Sequence, residues 1–421
     1  MNESAIQRTL DAVWRIESAA VIGAVARIVR DLDLAEEIAH DALIVALERW
    51  PVSGVPDNPG AWLVVTARRR AIDAVRRTRR LSEKQAALGR ELSLRHDGEE
   101  DSVERVALDE FGDDLLRLMF TACHPVLAAE SRVALTLRLL GGLSTDEIAR
   151  AFLVSESTIA QRIVRAKRTL SRAKVQFEVP QGAELAERLE SVLGVIYLIY
   201  NEGYTATAGS AWMRPELCDE ALRLGRMLAE RTPAEPEVHG LVALMELQSS
   251  RARARAGSNG EPVMLLEQNR AAWDPLLIRR GLAALDRALK AGSVAGSYTL
   301  QAAIAACHAR ALTAEQTDWN EIARLYMLLG RVSPSPVIEL NRAVAVSMAS
   351  GPEAGLAILE AVATHPALQN YHHLPSVRGD ILFKLGRLPE AREEFNRAAA
   401  LTRNERERKL LLSRAQACLQ V

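Results

Sequence analysis

Gln161, Arg162, Arg165, Lys167 and Arg168 crowd the end of the segment LSTDEIARAFLVSESTIAQRIVRAKRTL, residues 143–170. Carboxamide and guanidinium groups can pair with the edges of adenine and guanine, so the chemistry these side chains suggest is base recognition rather than bond making. Ser157 and Thr158 stand just upstream, where hydroxyls beside a helix N-terminus suit phosphate contacts. The elements that must position them are legible in the same segment. Ser144 and Glu147 have the spacing of a capping box. Ile148, Ala149 and Phe152 then share one helical face, and Ser155 or Ser157 can start a second helix with Ile159, Ile163 and Ala166 turned inward. That is the plan of a helix-turn-helix, whose second helix enters the major groove.

A second basic block lies earlier, at Arg68, Arg69, Arg70, Arg76, Arg77, Arg79, Arg80 and Lys84. Between the two blocks runs an acidic stretch with Glu91, Asp97, Glu99, Glu100, Asp101 and Glu104. Two basic blocks around an acidic spacer fit a protein that meets DNA at two places. The net charge of −1 excludes a uniformly basic nucleic-acid protein but allows such local patches. Single-stranded DNA is held by a positive groove with aromatic contacts, so Trp62, upstream of the arginines, is a candidate, although core burial is the commoner fate of tryptophan.

Other functions find little support. There is no Walker loop, GxSxG elbow or HExxH, and neither His372-His373 nor Asn201-Glu202 has partners at a diagnostic spacing. Cys123, Cys218, Cys307 and Cys418 form no CxxC clip. The chain therefore reads as a non-enzyme without cofactor or bound metal. The N-terminus lacks the charge and apolar run of a signal peptide, and no apolar run reaches the roughly 20 residues of a membrane helix. A cytoplasmic protein without membrane contact is expected.

The length of 421 residues suggests several domains, and 48% hydrophobic residues with only 4% aromatics suit an all-α fold. Helical spacing runs over Ser4–Arg30, Leu34–Trp50 and Gly60–Arg80, with a proline-rich loop at Pro51–Pro59. Residues 1–80 form a first domain, 81–108 an acidic linker, 109–179 a four-helix domain ending in the helix-turn-helix, and 180–421 a long helical extension. In the extension, Gly379, Leu382, Gly386, Ala391, Phe395 and Ala398 match the small and aromatic positions of a tetratricopeptide repeat. Pro352-Glu353-Ala354 precedes Pro389-Glu390-Ala391 by about one repeat length. A solenoid of this kind offers a concave surface to a protein partner.

The first 175 residues resemble the extracytoplasmic-function (ECF) sigma factors of bacterial RNA polymerase. LAEEIAHDALIVALERW and PGAWLVVTARRRAIDAVRR are similar to their sigma-2 domain, and the helix-turn-helix to their sigma-4 domain. YLIYNEGYTAT, LCDEALRLGRMLAE and SPSPVIELNRAVAVS resemble the extension of a sigma-factor group with tetratricopeptide-like repeats. The resemblance implies that Glu36, Glu37, His40, Asp41 and Leu43 dock on the clamp helices of the polymerase β′ subunit, with the β flap as a further contact. It implies that Asn58, Trp62, Arg68, Arg69, Arg70, Arg76 and Arg77 open and hold the promoter −10 element. It places Ser157, Thr158, Gln161, Arg162, Arg165 and Lys167 at the −35 element. The expected function is that of an alternative sigma factor directing promoter recognition and melting, with the extension regulating it in cis. The alternative is a helix-turn-helix regulator with a repeat sensor domain that binds duplex DNA without joining polymerase.

Overall fold

The computed structural model describes residues 3–87, 111–257, 260–292 and 294–419. The fold is all-α, and the chain forms two compact units, Met1–Ile196 and Tyr197–Val421.

In the first unit, α1 (Glu3–Val29), α2 (Leu32–Ser53) and α3 (Pro59–Ala87) pack on one another. Their core is Val21, Ile22 and Val25 of α1, a stripe of Ala35, Ala39, Ala42 and Ala46 on α2 ending at Trp50, and Leu63, Val64 and Ala67 of α3. The alanine stripe recurs at helical spacing and lets the helices approach closely. The expected loop at Pro51–Pro59 is shorter in the structure. Pro51 stays inside the last turn of α2, and the helix stops only at Gly54, whose φ of 83° belongs to the left-handed side that glycine tolerates. The helix α3 continues past Arg80 to Ala87, so the first residues expected in the acidic linker are helical, and the linker from residue 88 onward lies outside the described residues.

Four helices follow, α4 (Phe111–Ala122), α5 (Ala129–Leu139), α6 (Thr145–Phe152) and α7 (Glu156–Arg172). Gly23 marks where α1 crosses α4, since a Cβ there would lie 3.0 Å from the Asp114 carbonyl oxygen. The next helix, α8 (Gly182–Tyr204), carries the chain from the first unit into the second. Its first half belongs with α4 and α5: Arg188 donates to the Phe120 carbonyl at 3.0 Å, and the Ser191 hydroxyl donates to that of Cys123 at 2.5 Å. These bonds carry the first unit past Val179, to Ile196.

The second unit is a succession of helices: α9 (Pro215–Arg231), α10 (Pro236–Ser249), α11 (Pro275–Ala291), α12 (Ser297–Arg310), α13 (Trp319–Val332), α14 (Pro336–Ser350), α15 (Pro352–Val362), α16 (His373–Lys384), α17 (Leu388–Leu401) and α18 (Glu405–Ala417). Its core is a relay of small clusters. One joins α10, α11 and α12 around Leu244, Leu285 and Ala306. The next joins α12, α13 and α14 around Ile304, Ile322 and Ala345, and another joins α14 to α16 around Leu340, Leu359 and Leu374. The last joins α16 to α18 around Leu382, Phe395 and Leu411. Each cluster shares a helix with its neighbour, as stacked helical hairpins do. The unit also closes on itself. The short strands β1 (Ala208–Gly209) and β2 (Arg403–Asn404) pair in parallel, and the Asn404 side chain donates to the carbonyls of Ala206 at 3.0 Å and Ala211 at 2.9 Å.

Candidate nucleic-acid and polymerase interface

The helix-turn-helix forms as its sequence dictates. The Ser144 hydroxyl accepts from the Glu147 amide at 3.1 Å, while the Glu147 carboxylate accepts from the Ser144 amide at 2.8 Å. The turn passes through Leu153 at a φ of 51°, and Ser155, rather than Ser157, caps α7 by accepting from the Thr158 amide at 3.2 Å. Ile159, Ile163, Ala166 and Leu170 are buried, so Ser157, Gln161 and Arg165 are left exposed on the far face, with Thr158 and Arg162 half-buried.

On α3 the arginines divide. Arg69, Arg70, Arg76 and Arg77 are exposed, whereas Arg68 is buried. Asn58 caps the helix, accepting from the Ala61 amide at 3.0 Å, and the half-buried Trp62 ring meets buried Trp50 edge-on, 5.6 Å between centroids. On α2, Glu37 is exposed, Leu43 half-buried, and His40 donates from Nδ1 to the Glu36 carbonyl at 2.7 Å. Asp41 accepts from Arg70 at 2.9 Å, so two residues expected to have different partners are paired on the surface.

Three residues of the expected sites lie in contacts between the two helical groups of this unit. Glu36 of α2 accepts from Arg138 of α5 at 2.6 Å and from Lys167 of α7 at 2.7 Å. Lys167 also reaches Asp33 at 2.8 Å, and only 9% of its side chain is exposed. Burial by itself raises the Glu36 carboxyl, but Lys167 and Arg138 outweigh it and hold the group below its ordinary range. Burial likewise opposes the charge on Lys167, yet Glu36 and Asp33 raise its pKa, so both partners are ionised at neutral pH. Nearby, Asp114 of α4, 1% exposed, is surrounded by Arg117 at 2.8 Å, Arg27 at 3.5 Å and Arg68 at 3.6 Å. Burial lifts the Asp114 carboxyl despite these three cations. Arg15 and Glu147 add an exposed pair at 3.2 Å, a type of contact worth little.

Sequence reasoning missed Arg138 and Asp114. The signal was there for one of them, since Arg138 is a lone cation in the apolar run VALTLRLL, and such a charge needs a partner.

The matched families divide along the same lines. Residues 15–81 match Sigma-70 region 2, residues 117–170 match Sigma-70, region 4, and residues 188–289 match a family of unknown function (DUF6596). The ECF RNA polymerase sigma factor SigK of Mycobacterium ulcerans is 32% identical over 155 residues, 36% of this chain and 77% of that protein. The chain belongs to the ECF sigma factors of RNA polymerase. The probable ECF RNA polymerase sigma factor SigI of Mycobacterium tuberculosis is 27% identical over 175 residues, 40% of this chain and 57% of that protein. An uncharacterized protein of Rhizobium meliloti is 47% identical over 388 residues, 92% of this chain and 90% of that protein. The sigma factor's N-terminal unit thus carries region 2 and region 4, the segments that bind core polymerase and promoter DNA. Among the described residues no helix is long and apolar enough to cross a membrane.

In the extension Asn201, Glu202, Gly203 and Tyr204 form the last turn of α8. Glu202 pairs there with Arg214 and accepts from the Thr207 hydroxyl at 2.9 Å, and the Arg255 guanidinium stacks 3.5 Å from the Tyr204 ring centre. These contacts make the motif a brace of the second unit.

Proposed function

We propose that this sigma factor contacts core polymerase through α2, holds the opened −10 strand along α3, reads the −35 element with α7, and is regulated in cis by residues 197–419. The observation that carries the DNA assignments is the pair of exposed polar faces: Arg69, Arg70, Arg76 and Arg77 on α3, and Ser157, Gln161 and Arg165 on α7. The first is a positive track suited to a single strand, and the second offers base-reading groups at the spacing of a recognition helix. The polymerase assignment takes in Glu36, Glu37, His40, Asp41 and Leu43, with the clamp helices of β′ and the flap of β as the surfaces met. A relative aligned over 92% of this chain spans both halves, which supports their working as one protein. On this reading the Glu36–Lys167 pair is a resting contact. It parts before Glu36 faces polymerase and Lys167 faces DNA.

The test is promoter-specific transcription in vitro with purified core polymerase, comparing the full chain, a 1–196 fragment and an Arg69→Ala/Arg77→Ala variant. Arg68 is left intact because its loss would disturb the buried Asp114 cluster. Transcripts from the full chain that the variant loses are the expected result, with the fragment differing from the full chain in level or promoter response. Sequence-specific duplex binding by the full chain and the fragment, without transcripts from either, would point to a regulator that never joins polymerase. Equal transcription by fragment and full chain under every condition would end the cis-regulatory part alone.

A further inference from the structure

We propose that His372, His373 and Glu407 form a binding site for a zinc-class transition-metal ion in the C-terminal unit. The sequence leaves the two histidines without a partner, and the fold supplies one. His372 immediately precedes α16, His373 is its first residue, and Glu407 stands in the first turn of α18. One ligand atom from each of the three lies within 4.8 Å of the others. His372 Nε2 is already 3.0 Å from a Glu407 carboxylate oxygen. Donors around a tetrahedral zinc ion sit about 3.3 Å apart, so the other contacts must close by up to about 1.5 Å.

Several details fit a ligand set better than a plain ion pair. His372 Nε2 is buried and faces the Glu407 carboxylate. Oε2 of Glu407 is taken by the Thr402 hydroxyl at 2.5 Å, which orients the carboxylate and leaves Oε1 for the histidines. Such outer contacts are how ligand carboxylates are fixed. An imidazole–carboxylate pair would account for His372 alone, but the His373 ring lies beside it with centroids 4.0 Å apart.

The donor set selects the class of ion. Two imidazole nitrogens and one carboxylate suit zinc and its neighbours in the transition series, while calcium and magnesium prefer oxygen alone. Three protein ligands leave a coordination position for water or an exogenous group. The site ties the start of α16 to the start of α18, whose cap, Asn404, also grips the carbonyls of Ala206 and Ala211. Metal binding would therefore stiffen the closure of the unit on itself.

The experiment uses the full chain, reduced and stripped with chelator, titrated with Zn2+ against a chromophoric competitor. One tight equivalent per chain is expected, weakened at least about tenfold by Glu407→Gln and by His373→Gln, the scale on which even outer contacts matter. Saturating Zn2+ should raise the unfolding midpoint of the unsubstituted protein by about 5 °C. The four free cysteines are rival ligands, so Co2+ substitution is the control: its spectrum should show d–d bands without thiolate charge transfer. Thr402→Val retains all three ligands and should weaken binding if the ligand variants prove poorly folded. No stoichiometric site, a thiolate signature, or affinity unchanged by these substitutions would overturn the proposal.

Discussion

In the N-terminal unit buried ion pairs run between the region 2 and region 4 helices beside the close packing of α1 on α4, whereas in the C-terminal unit successive helices meet through small apolar layers. Glu36 joins α2 to Arg138 of α5 and Lys167 of α7, and Asp114 of α4 meets Arg27 of α1 and Arg68 of α3. Leu382, Ala391, Phe395, Ala398 and Leu411 illustrate the other pattern, an apolar layer with the Arg414 guanidinium 4.4 Å from the Phe395 ring centre at its edge. Ion pairs regain hydration when they part into water, so the Glu36 contacts with α5 and α7 cost less to part than an apolar layer, which would expose hydrophobic surface.

The largest effect is expected in the apolar layer. Phe395→Ala removes a ring that is fully buried and should cost about 4 kcal/mol in denaturant unfolding. A loss below about 1 kcal/mol would show that the layer does not hold the unit together, and the comparison would fail. Glu36→Ala comes next, at about 3 kcal/mol, because it strands two cations in a partly buried joint. A Glu36→Gln/Lys167→Met double variant should lose less than the sum of its single changes, with a coupling of about 1–3 kcal/mol. Additive losses would show that the pair contributes nothing to the joint.

Acid titration sharpens the comparison further. The Glu36 carboxyl is depressed in the folded chain, so its contribution is present above the unfolded pKa and is lost as pH falls through the folded one. Asp114 is raised and acts in the opposite sense, its cost in the ionised form being relieved on protonation. Glu36→Gln should therefore flatten the acid limb of the stability profile, and Asp114→Asn should steepen it. Lys167 is raised, so its share persists through neutral pH and is lost only as pH climbs through its folded value. Ser144→Ala should cost about 1 kcal/mol through the lost cap. The smallest effect belongs to Arg165→Ala, within about 0.5 kcal/mol for an exposed side chain, although −35 duplex affinity should drop about tenfold if the groove reading holds.

Much of this was legible in the chain. The capping box at Ser144, the inward faces of α6 and α7, the small-residue pattern from Gly379 to Ala398 and the Pro-Glu-Ala starts of α15 and α17 are local patterns, and each formed where its spacing placed it. Gly379 shows why that spacing is informative, since a Cβ there would lie 2.8 Å from the Phe395 ring. What could not be read were partnerships between residues far apart in sequence. Lys167 flanks the buried stripe of its own helix, four residues after Ile163, and nothing local to α7 reveals that Asp33 and Glu36 of α2 are its partners.

Periodicity, capping and composition belong to short stretches of chain, so the residues alone determined the helices, their buried faces and the sigma-factor motifs they carry. Ion-pair choice depends on which surfaces meet, and that is decided by packing over the whole unit. Only the tertiary structure therefore set Glu36 against Lys167 and Arg138, drew Arg68 away from its neighbours toward Asp114, and brought Glu407 to a pair of histidines that the sequence had left without a partner.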